Sequence, residues 1–178
     1  MKIEETNLDG VMLLKPQFFK DERGFFLESY NKNVLNSIGI NLDFVQDNHS
    51  RSSKNVLRGL HFQKNNPQGK LVRCSNGRVF DVVVDINPDS KTFRDFFCVE
   101  LNDDNNYQLW IPPGYAHGFC CISNFADFNY KCTDFYFSDD QHGIIWNDPE
   151  IQIPWPLNNP IISEKDLGYS TISEYLKF

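Results

Sequence analysis

Residues 56–74 read Val-Leu-Arg-Gly-Leu-His-Phe-Gln-Lys-Asn-Asn-Pro-Gln-Gly-Lys-Leu-Val-Arg-Cys, and they hold three kinds of chemistry within nineteen residues. Arg58 carries a guanidinium, whose planar fork donates two parallel hydrogen bonds to a phosphate. His61 carries an imidazole, the side chain best suited to taking a proton near neutral pH. Lys70 carries an ammonium that can stabilise an oxyanion. The stretch reads as a hairpin, with apolar strands holding these groups at its mouth. A plainer account makes His61 a half-buried strand histidine and leaves Arg58 and Lys70 as solvated strand ends.

The rest of the chain must position those groups. At 178 residues it is long enough for one domain with a sizeable core, expected over 1–178. Sixteen Phe against two Met favour strands over helices. Short strands are expected at 13–14, 25–30, 44–46, 56–62, 70–74, 79–86, 96–101, 108–111, 118–122, 127–132 and 135–137. The period is clearest at 79–86, where Phe80, Val82, Val84 and Ile86 alternate with Val79, Asp81, Val83 and Asp85. Turns at Arg23-Gly24, Asn76-Gly77, Asn87-Pro88 and Pro113-Gly114 separate the strands. One early helix is expected at 31–38 with Gly39 as its stop, and Ser163-x-x-Asp166 and Thr171-x-x-Glu174 start short helices near the end. The pattern predicts an all-β fold, a jelly-roll barrel or sandwich with a few short peripheral helices.

Composition excludes several classes. A net charge of −7 argues against a nucleic-acid surface, so an anionic ligand must be met by a local cluster of Arg and Lys. No window approaches the roughly 18 consecutive apolar residues of a membrane span, and the first residues lack the apolar core of a signal peptide. A soluble, cytoplasmic protein is expected. The five cysteines (74, 98, 120, 121 and 132) show no C-x-x-C spacing and read as reduced, buried, small hydrophobes.

Further segments carry candidate chemistry. If 127–136 is continuously extended, Tyr130 and Tyr136 share a face, one phenol suited to act as an acid and the other ring to stack. Two ordinary core-edge tyrosines are the competing account. The Pro-x-x-x-x-His pattern that ends at His117 resembles the second motif of cupin barrels, where the histidine often binds metal. The first cupin motif offers only His61 here, followed by Phe62 and Gln63, so the expectation is a cupin without metal. Arg23, Glu28, Gln46, Asp47 and Asn48 sit at strand ends, where each singly reads as a turn or edge residue. Asp166 is either a helix cap or a carboxylate that orients an imidazole.

Eight segments taken in order resemble the dTDP-4-dehydrorhamnose 3,5-epimerase family. They are Phe-x-Asp-x-Arg-Gly-Phe-Phe (19–26), Gln-Asp-Asn-His-Ser (46–50), Val-Leu-Arg-Gly-Leu-His-Phe-Gln (56–63), Gln-Gly-Lys-Leu-Val (68–72), Pro-Pro-Gly-Tyr-Ala-His-Gly-Phe (112–119), Tyr-Lys-x-Thr-Asp (130–134), Gly-Ile-x-Trp-Asn-Asp-Pro (143–149) and Ser-Glu-Lys-Asp (163–166). The resemblance implies a cupin-type jelly roll that needs no cofactor. It makes His61 the base, Asp166 its paired carboxylate, Tyr130 the acid on the opposite face and Lys70 the partner of the developing enolate. It places Arg23, Glu28, Gln46, Asp47, Asn48, Arg58, Gln63, His117 and Tyr136 around a dTDP-sugar, with Tyr136 stacked on thymine. It further implies a homodimer whose N-terminal strand residues reach the partner's site. The implied reaction inverts C3 and C5 of dTDP-4-dehydro-6-deoxy-D-glucose. Single-carbon epimerases, a metal-dependent cupin enzyme and a non-catalytic sugar-nucleotide binder are the alternatives. This chain departs at Ser138-Asp139-Asp140-Gln141, where the family often carries Pro-Glu and a further Glu. An amide there replaces a carboxylate, which bears on nucleotide or sugar preference.

Overall fold

The computed structural model describes residues 1–177. Its strands are β1 (Lys2–Glu5), β2 (Met12–Lys15), β3 (Phe18–Asp21), β4 (Gly24–Leu27), β5 (Gln46–Ser53), β6 (Leu57–Gln63) and β7 (Lys70–Asn76). They continue as β8 (Arg78–Asp85), β9 (Phe96–Asn102), β10 (Gln108–Ile111), β11 (Tyr115–Cys121), β12 (Phe125–Cys132) and β13 (Gln141–Gly143). The short helices are α1 (Lys32–Ser37), α2 (Glu164–Leu167) and α3 (Ile172–Tyr175). A six-stranded sheet runs β1-β2-β10-β7-β12-β5, a five-stranded sheet runs β13-β6-β11-β8-β9, and β3 pairs only with β4. This is the mostly-β sandwich that the turn spacing predicts, with cupin-like architecture.

The sheets pack face to face through Leu13, Val72, Leu109 and Phe128 of one and Val79, Val83, Leu101 and Phe119 of the other. Phe119 and Phe128 stack across the gap at 4.1 Å between centroids. The outer faces are covered too. Leu35 and Ile40, around α1, lie on Leu14, Leu71 and Trp110. Ile144, Ile151 and Ile172 of the C-terminal segment lie on Leu60, Val82 and Val84. Val79 and Val83 on one face of β8 and Val82 and Val84 on the other are therefore all buried, because neither face meets water there.

Three sequence expectations are corrected. Residues 56–74 are not a hairpin: β6 belongs to the five-stranded sheet and β7 to the six-stranded one. The connection between them crosses from sheet to sheet, and the buried Asp140 carboxylate holds it by accepting the backbone N–H groups of Asn65 and Asn66. Residues 135–137 form no strand, since the chain leaves the sheet after Cys132. The strand expected at 44–46 runs instead from Gln46 to Ser53, and its all-polar sequence hides it from a search for apolar alternation. The outlying strand Lys2–Glu5 was hidden in the same way, being exposed throughout.

The helix ends follow the capping rules. Asn31 Oδ1 accepts from the N–H groups of Asn33 and Val34 at the start of α1, Ser163 Oγ accepts from Asp166 N at 3.1 Å, and Thr171 with Glu174 forms a capping box. The buried Asp148 carboxylate accepts from Glu150 N, Ile151 N and Ile172 N. That clamp fixes the C-terminal segment so that α2 lies against β6.

Gly59 sits where β6 passes β11 most closely, with φ +124°. A Cβ there would lie 2.5 Å from Gly118 Cα and 2.9 Å from His117 O, both backbone atoms that cannot swing aside. Gly59→Ala is therefore expected to cost about 2–3 kcal/mol in urea unfolding. A variant as stable as the parent would mean that the two strands separate without penalty.

Candidate active site

A cavity of about 620 Å³ opens between the two sheets at one end of the sandwich. Its lining comes from β6 (Arg58, His61, Gln63), β7 (Lys70), β11 (His117), β12 (Phe128, Tyr130) and β5 (Ser50). Tyr136, Gln141, Ser163, Lys165 and Asp166 complete the rim. His61 and His117 are cross-strand partners on the five-stranded sheet. Tyr130 and Lys70 lie on the facing sheet, where Tyr130 pairs with Val72 and Lys70 with Cys132. The cavity thus has an imidazole wall and a phenol–ammonium wall.

Arg58 and His61 are three residues apart, an odd offset that puts strand side chains on opposite faces. The β6–β11 register shifts between His61–His117 and Arg58–Phe119, setting three steps on β6 against two on β11. This irregularity at Gly59 and Leu60 restores both side chains to the cavity.

His61 Nε2 donates to Asp166 Oδ1 at 2.8 Å. Gly59 N donates to the other carboxylate oxygen at 3.2 Å. Burial alone would raise the Asp166 carboxyl, but the His61 hydrogen bond and charge, with the Gly59 N–H, outweigh it and hold it below the usual carboxylate range. An ionised Asp166 fixes the proton on Nε2, and Nδ1 has no partner among the described residues, so Nδ1 is the nitrogen able to take a proton. The Tyr169 ring stands edge-on to the imidazole at 5.8 Å, over Gly143, where a side chain would strike it.

On the other wall neither Tyr130 Oη nor Lys70 Nζ has a hydrogen-bond partner among the described residues. Burial pushes the Tyr130 phenol up, so it holds its proton. Burial also pushes the Lys70 ammonium below an ordinary lysine, although part of its surface opens to the cavity. His117 Nε2 sits 2.9 Å from Oδ2 of the fully buried Asp81, and its ring stacks on Phe128. Among the described residues no three His, Cys, Asp or Glu side chains gather into a group able to hold a metal ion. All five cysteines are unpaired.

The other expected contacts divide. Gln63 lines the cavity but spends its amide on the backbone, donating to Asn66 O and Phe135 O and accepting from Phe137 N. It holds the segment that presents Tyr136, as does Gln46, which accepts from Tyr136 N. Tyr136 is half exposed at the rim, so it and Tyr130 meet at one cavity although the strand between them is broken. Asn48 donates to Cys132 Sγ, and Asp47 points outward to Lys131 at 2.7 Å. Arg23 lies at the tip of the β3–β4 hairpin, paired with Asp21, and Glu28 accepts from Asn31. Arg23, Glu28, Gln46, Asp47 and Asn48 do not line the cavity of this chain. Ser50, Ser163, Lys165 and Tyr169 are neighbours that sequence reasoning missed as site residues, although the first three fall within quoted motifs, and Gln141 at the rim is the amide at which the chain departs from the family's carboxylate.

The lowered Lys70 value has a consequence for stability. Between the folded value and the unfolded one near 10.4, the unfolded chain binds more protons, so stability rises with pH across that window. Below it the buried charge costs stability. Lys70→Met is expected to raise Tm near pH 7 and to flatten the alkaline rise, both readable by thermal unfolding across pH. A lower Tm would mean that the ammonium stabilises the fold.

Residues 5–174 match the family described as dTDP-4-dehydrorhamnose 3,5-epimerase. The chain is 50% identical over 170 residues to the dTDP-4-dehydrorhamnose 3,5-epimerase of Shigella flexneri, covering 94% of each. It is 49% identical over 180 residues to the enzyme of that name from Escherichia coli K12, covering 99% of this chain and 97% of the other. Its fold superposes on the crystal structure of the dTDP-6-deoxy-D-glucose-3,5-epimerase of Legionella pneumophila in complex with dTDP-4-keto-L-rhamnose. There the TM-score is 0.94 at 45% identity, over 97% of this chain and 93% of the other. With the family matched over nearly its whole length and its fold reproduced, the protein belongs to the dTDP-4-dehydrorhamnose 3,5-epimerase family of isomerases.

Proposed function

We propose that this protein inverts C3 and C5 of dTDP-4-dehydro-6-deoxy-D-glucose, giving dTDP-4-dehydro-L-rhamnose, and that it uses the cavity between the sheets to do so. The observation that carries the reading is the placement of a carboxylate-held imidazole opposite an unpartnered phenol and ammonium. The substrate's 4-keto group acidifies the C–H bonds on both neighbouring carbons. His61 takes a proton from one face, and the imidazolium that forms is stabilised by Asp166. The electron pair moves onto the keto oxygen, where Lys70 stabilises the enolate. Tyr130 returns a proton from the opposite wall, and the configuration inverts. The C3 and C5 hydrogens of the gluco ring project from one face, so one base and one acid serve both carbons in turn.

The handle of the substrate is a nucleoside diphosphate, and the cations at the cavity suit it. Arg58 donates Nε–H to Ser52 Oγ at 3.0 Å rather than to a carboxylate. Lys70 and Lys165 likewise have no carboxylate within ion-pair distance among the described residues. Positive charge left uncancelled on a protein of net charge −7 marks where an anion belongs. The half-exposed Tyr136 ring offers thymine a stacking face.

The proposed active unit is a homodimer. The β3–β4 hairpin pairs with no other strand and leaves Phe19, Phe25 and Phe26 between 55% and 70% exposed, with Arg23 beside them. Such an arm fits a second copy, to whose cavity it would bring Arg23 and Glu28. Phe26→Asp is expected to shift sedimentation from dimer to monomer; an unchanged dimer would place the interface elsewhere. Five unpaired thiols suit a reducing cytoplasm. No helix of the described residues is long and apolar enough to cross a membrane, and neither a membrane nor nucleic acid enters the reading.

Incubation with the dTDP-4-keto sugar in heavy water tests the reaction. The parent protein should incorporate deuterium at C3 and at C5; label at one carbon alone would make it a single-site epimerase. His61→Ala should slow exchange at both carbons by about 10²–10⁴-fold while dTDP binding survives. In Tyr130→Phe, exchange should outlast inversion, because the enolate still forms but is reprotonated from the side it left. Near-normal exchange in H61A, or an unchanged ratio of inversion to exchange in Y130F, would remove that residue from its role.

A further inference from the structure

His61 has two cross-strand neighbours on the five-stranded sheet, His117 on β11 and Gly143 on β13. Cross-strand partners present their side chains to the same face of a sheet. On the β11 side the imidazole therefore has a ring beside it. On the β13 side the strand offers nothing, because Gly143 has no side chain and the three-residue β13 is the edge of the sheet. An open edge there would let water reach the imidazole.

Tyr169 fills that place from the C-terminal segment. A Cβ on Gly143 would lie 2.4–2.6 Å from Cε2, Cδ2 and Cζ of Tyr169, so the ring rests on the Gly143 backbone. Its centroid is 5.8 Å from that of His61, with 73° between the planes, a favourable edge-to-face pair. The hydroxyl makes only a long contact, accepting from Gln141 Nε2 at 3.4 Å. Burial, and then the Asp166 charge, push the phenol up to about 12, so the ring stays neutral. Tyr169 does not line the cavity, and its contact is with the base rather than with the space a ligand occupies.

Asp166 needs the same cover, being the one buried residue of α2 while Glu164, Lys165, Leu167 and the following Gly168 are exposed. Among the described residues three histidines pair with carboxylates, and they form a series. The imidazole is 59% exposed in His49–Asp127, 29% in His61–Asp166 and 9% in His117–Asp81. The middle value fits a ring open to the cavity on one side and covered on the other. Excluding water from the covered side strengthens the hydrogen bond to Asp166.

We infer that Tyr169 is a positioning residue, whose ring takes the place of the missing Gly143 side chain, closes the sheet edge beside His61 and holds the imidazole with Nδ1 toward the cavity. It deepens the reading of His61 as the base and rests on it. The ring carries the role, and the hydroxyl does not.

Proton NMR of the unliganded protein reads the cover without turnover. The Nε2–H of His61, identified by its loss in H61A, should exchange with water at least about tenfold faster in Tyr169→Ala than in the parent. Tyr169→Phe should stay within about twofold of the parent, because it keeps the ring. Gly143→Ala should act like Y169A, since it displaces the ring and removes nothing. The proton held between His117 and Asp81 should not change in any of them. With the dTDP-4-keto sugar in heavy water, Y169A should lose roughly ten- to a hundredfold in kcat with KM within about threefold, and Y169F should match the parent. A His61 exchange rate unmoved in Y169A, equal losses in Y169F and Y169A, or exchange that quickens at His117 as well overturns the inference. So does a rise in KM alone, which would put Tyr169 on the substrate. If the His61 signal responds as expected but the parent shows no C–H exchange, the cover stands and the proposed reaction falls. If the parent exchanges normally and the His61 signal is the same in Y169A, the cover alone falls.

Discussion

The hydrogen bond between His61 and Asp166 joins residues 105 positions apart, and most of the architecture around the cavity bears on making it. His61 is fixed by β6. Asp166 is fixed by a helix of only four residues, too short to be stable alone. Its place comes from tertiary contacts: the Ser163 cap, the Gly59 N–H on its carboxylate, and the Asp148 clamp that anchors the start of α3. Gly143 leaves room for Tyr169 behind the imidazole. The two ends of the bond thus share β6, which carries His61 and holds Asp166 through Gly59 N, and neither is free to drift without disturbing packing that extends well beyond the site.

Charge is distributed with the same economy. Outside the cavity Lys15, Arg23, Lys32, Arg51, Arg94 and Lys131 are paired with carboxylates, and the Asp127 carboxyl is held down to about 2 by the Arg51 and His49 hydrogen bonds. Inside, the carboxylates Asp81 and Asp166 are given to histidines, and Arg58, Lys70 and Lys165 are left with neutral partners or none. An acidic protein can in this way present a local positive field to a diphosphate. The arrangement is a departure from what stability alone would favour, since a buried ammonium without a partner pays desolvation with no return.

The fold was largely legible because turn dipeptides and apolar strands are local signals. The strand at 79–86, the helix after Asn31 and the starts of both C-terminal helices fall where the sequence puts them. What depended on pairing between distant segments was not legible. Residues 56–74 look like a hairpin because nothing local says that β6 and β7 belong to different sheets. The irregularity at Gly59 and Leu60, which brings Arg58 beside His61, leaves no trace in the alternation rule that it breaks. His61, Lys70, Tyr130 and Asp166 were singled out by chemistry and by family resemblance, and they do meet at one cavity. Arg23 and Glu28 came from resemblance alone, and a single chain does not bring them there.

The polar strand β5 shows why a site can hide from sequence reasoning. Asp47, His49 and Arg51 face water, as an edge strand requires. Their alternates, Asn48, Ser50 and Ser52, would be apolar in a strand that closed an ordinary core. Of the three only Ser50 lines the cavity, while Ser52 and Asn48 serve as partners of neighbouring side chains. Ser52 orients Arg58, Asn48 reaches Cys132, and Ser50 Oγ is buried at the lining with no partner in the protein. A hydroxyl in that position carries a desolvation cost that a ligand atom can relieve. The inner face of β5 thus carries polar groups that serve Arg58, Cys132 and the cavity lining in place of apolar packing, which is why the strand shows no amphipathic signal.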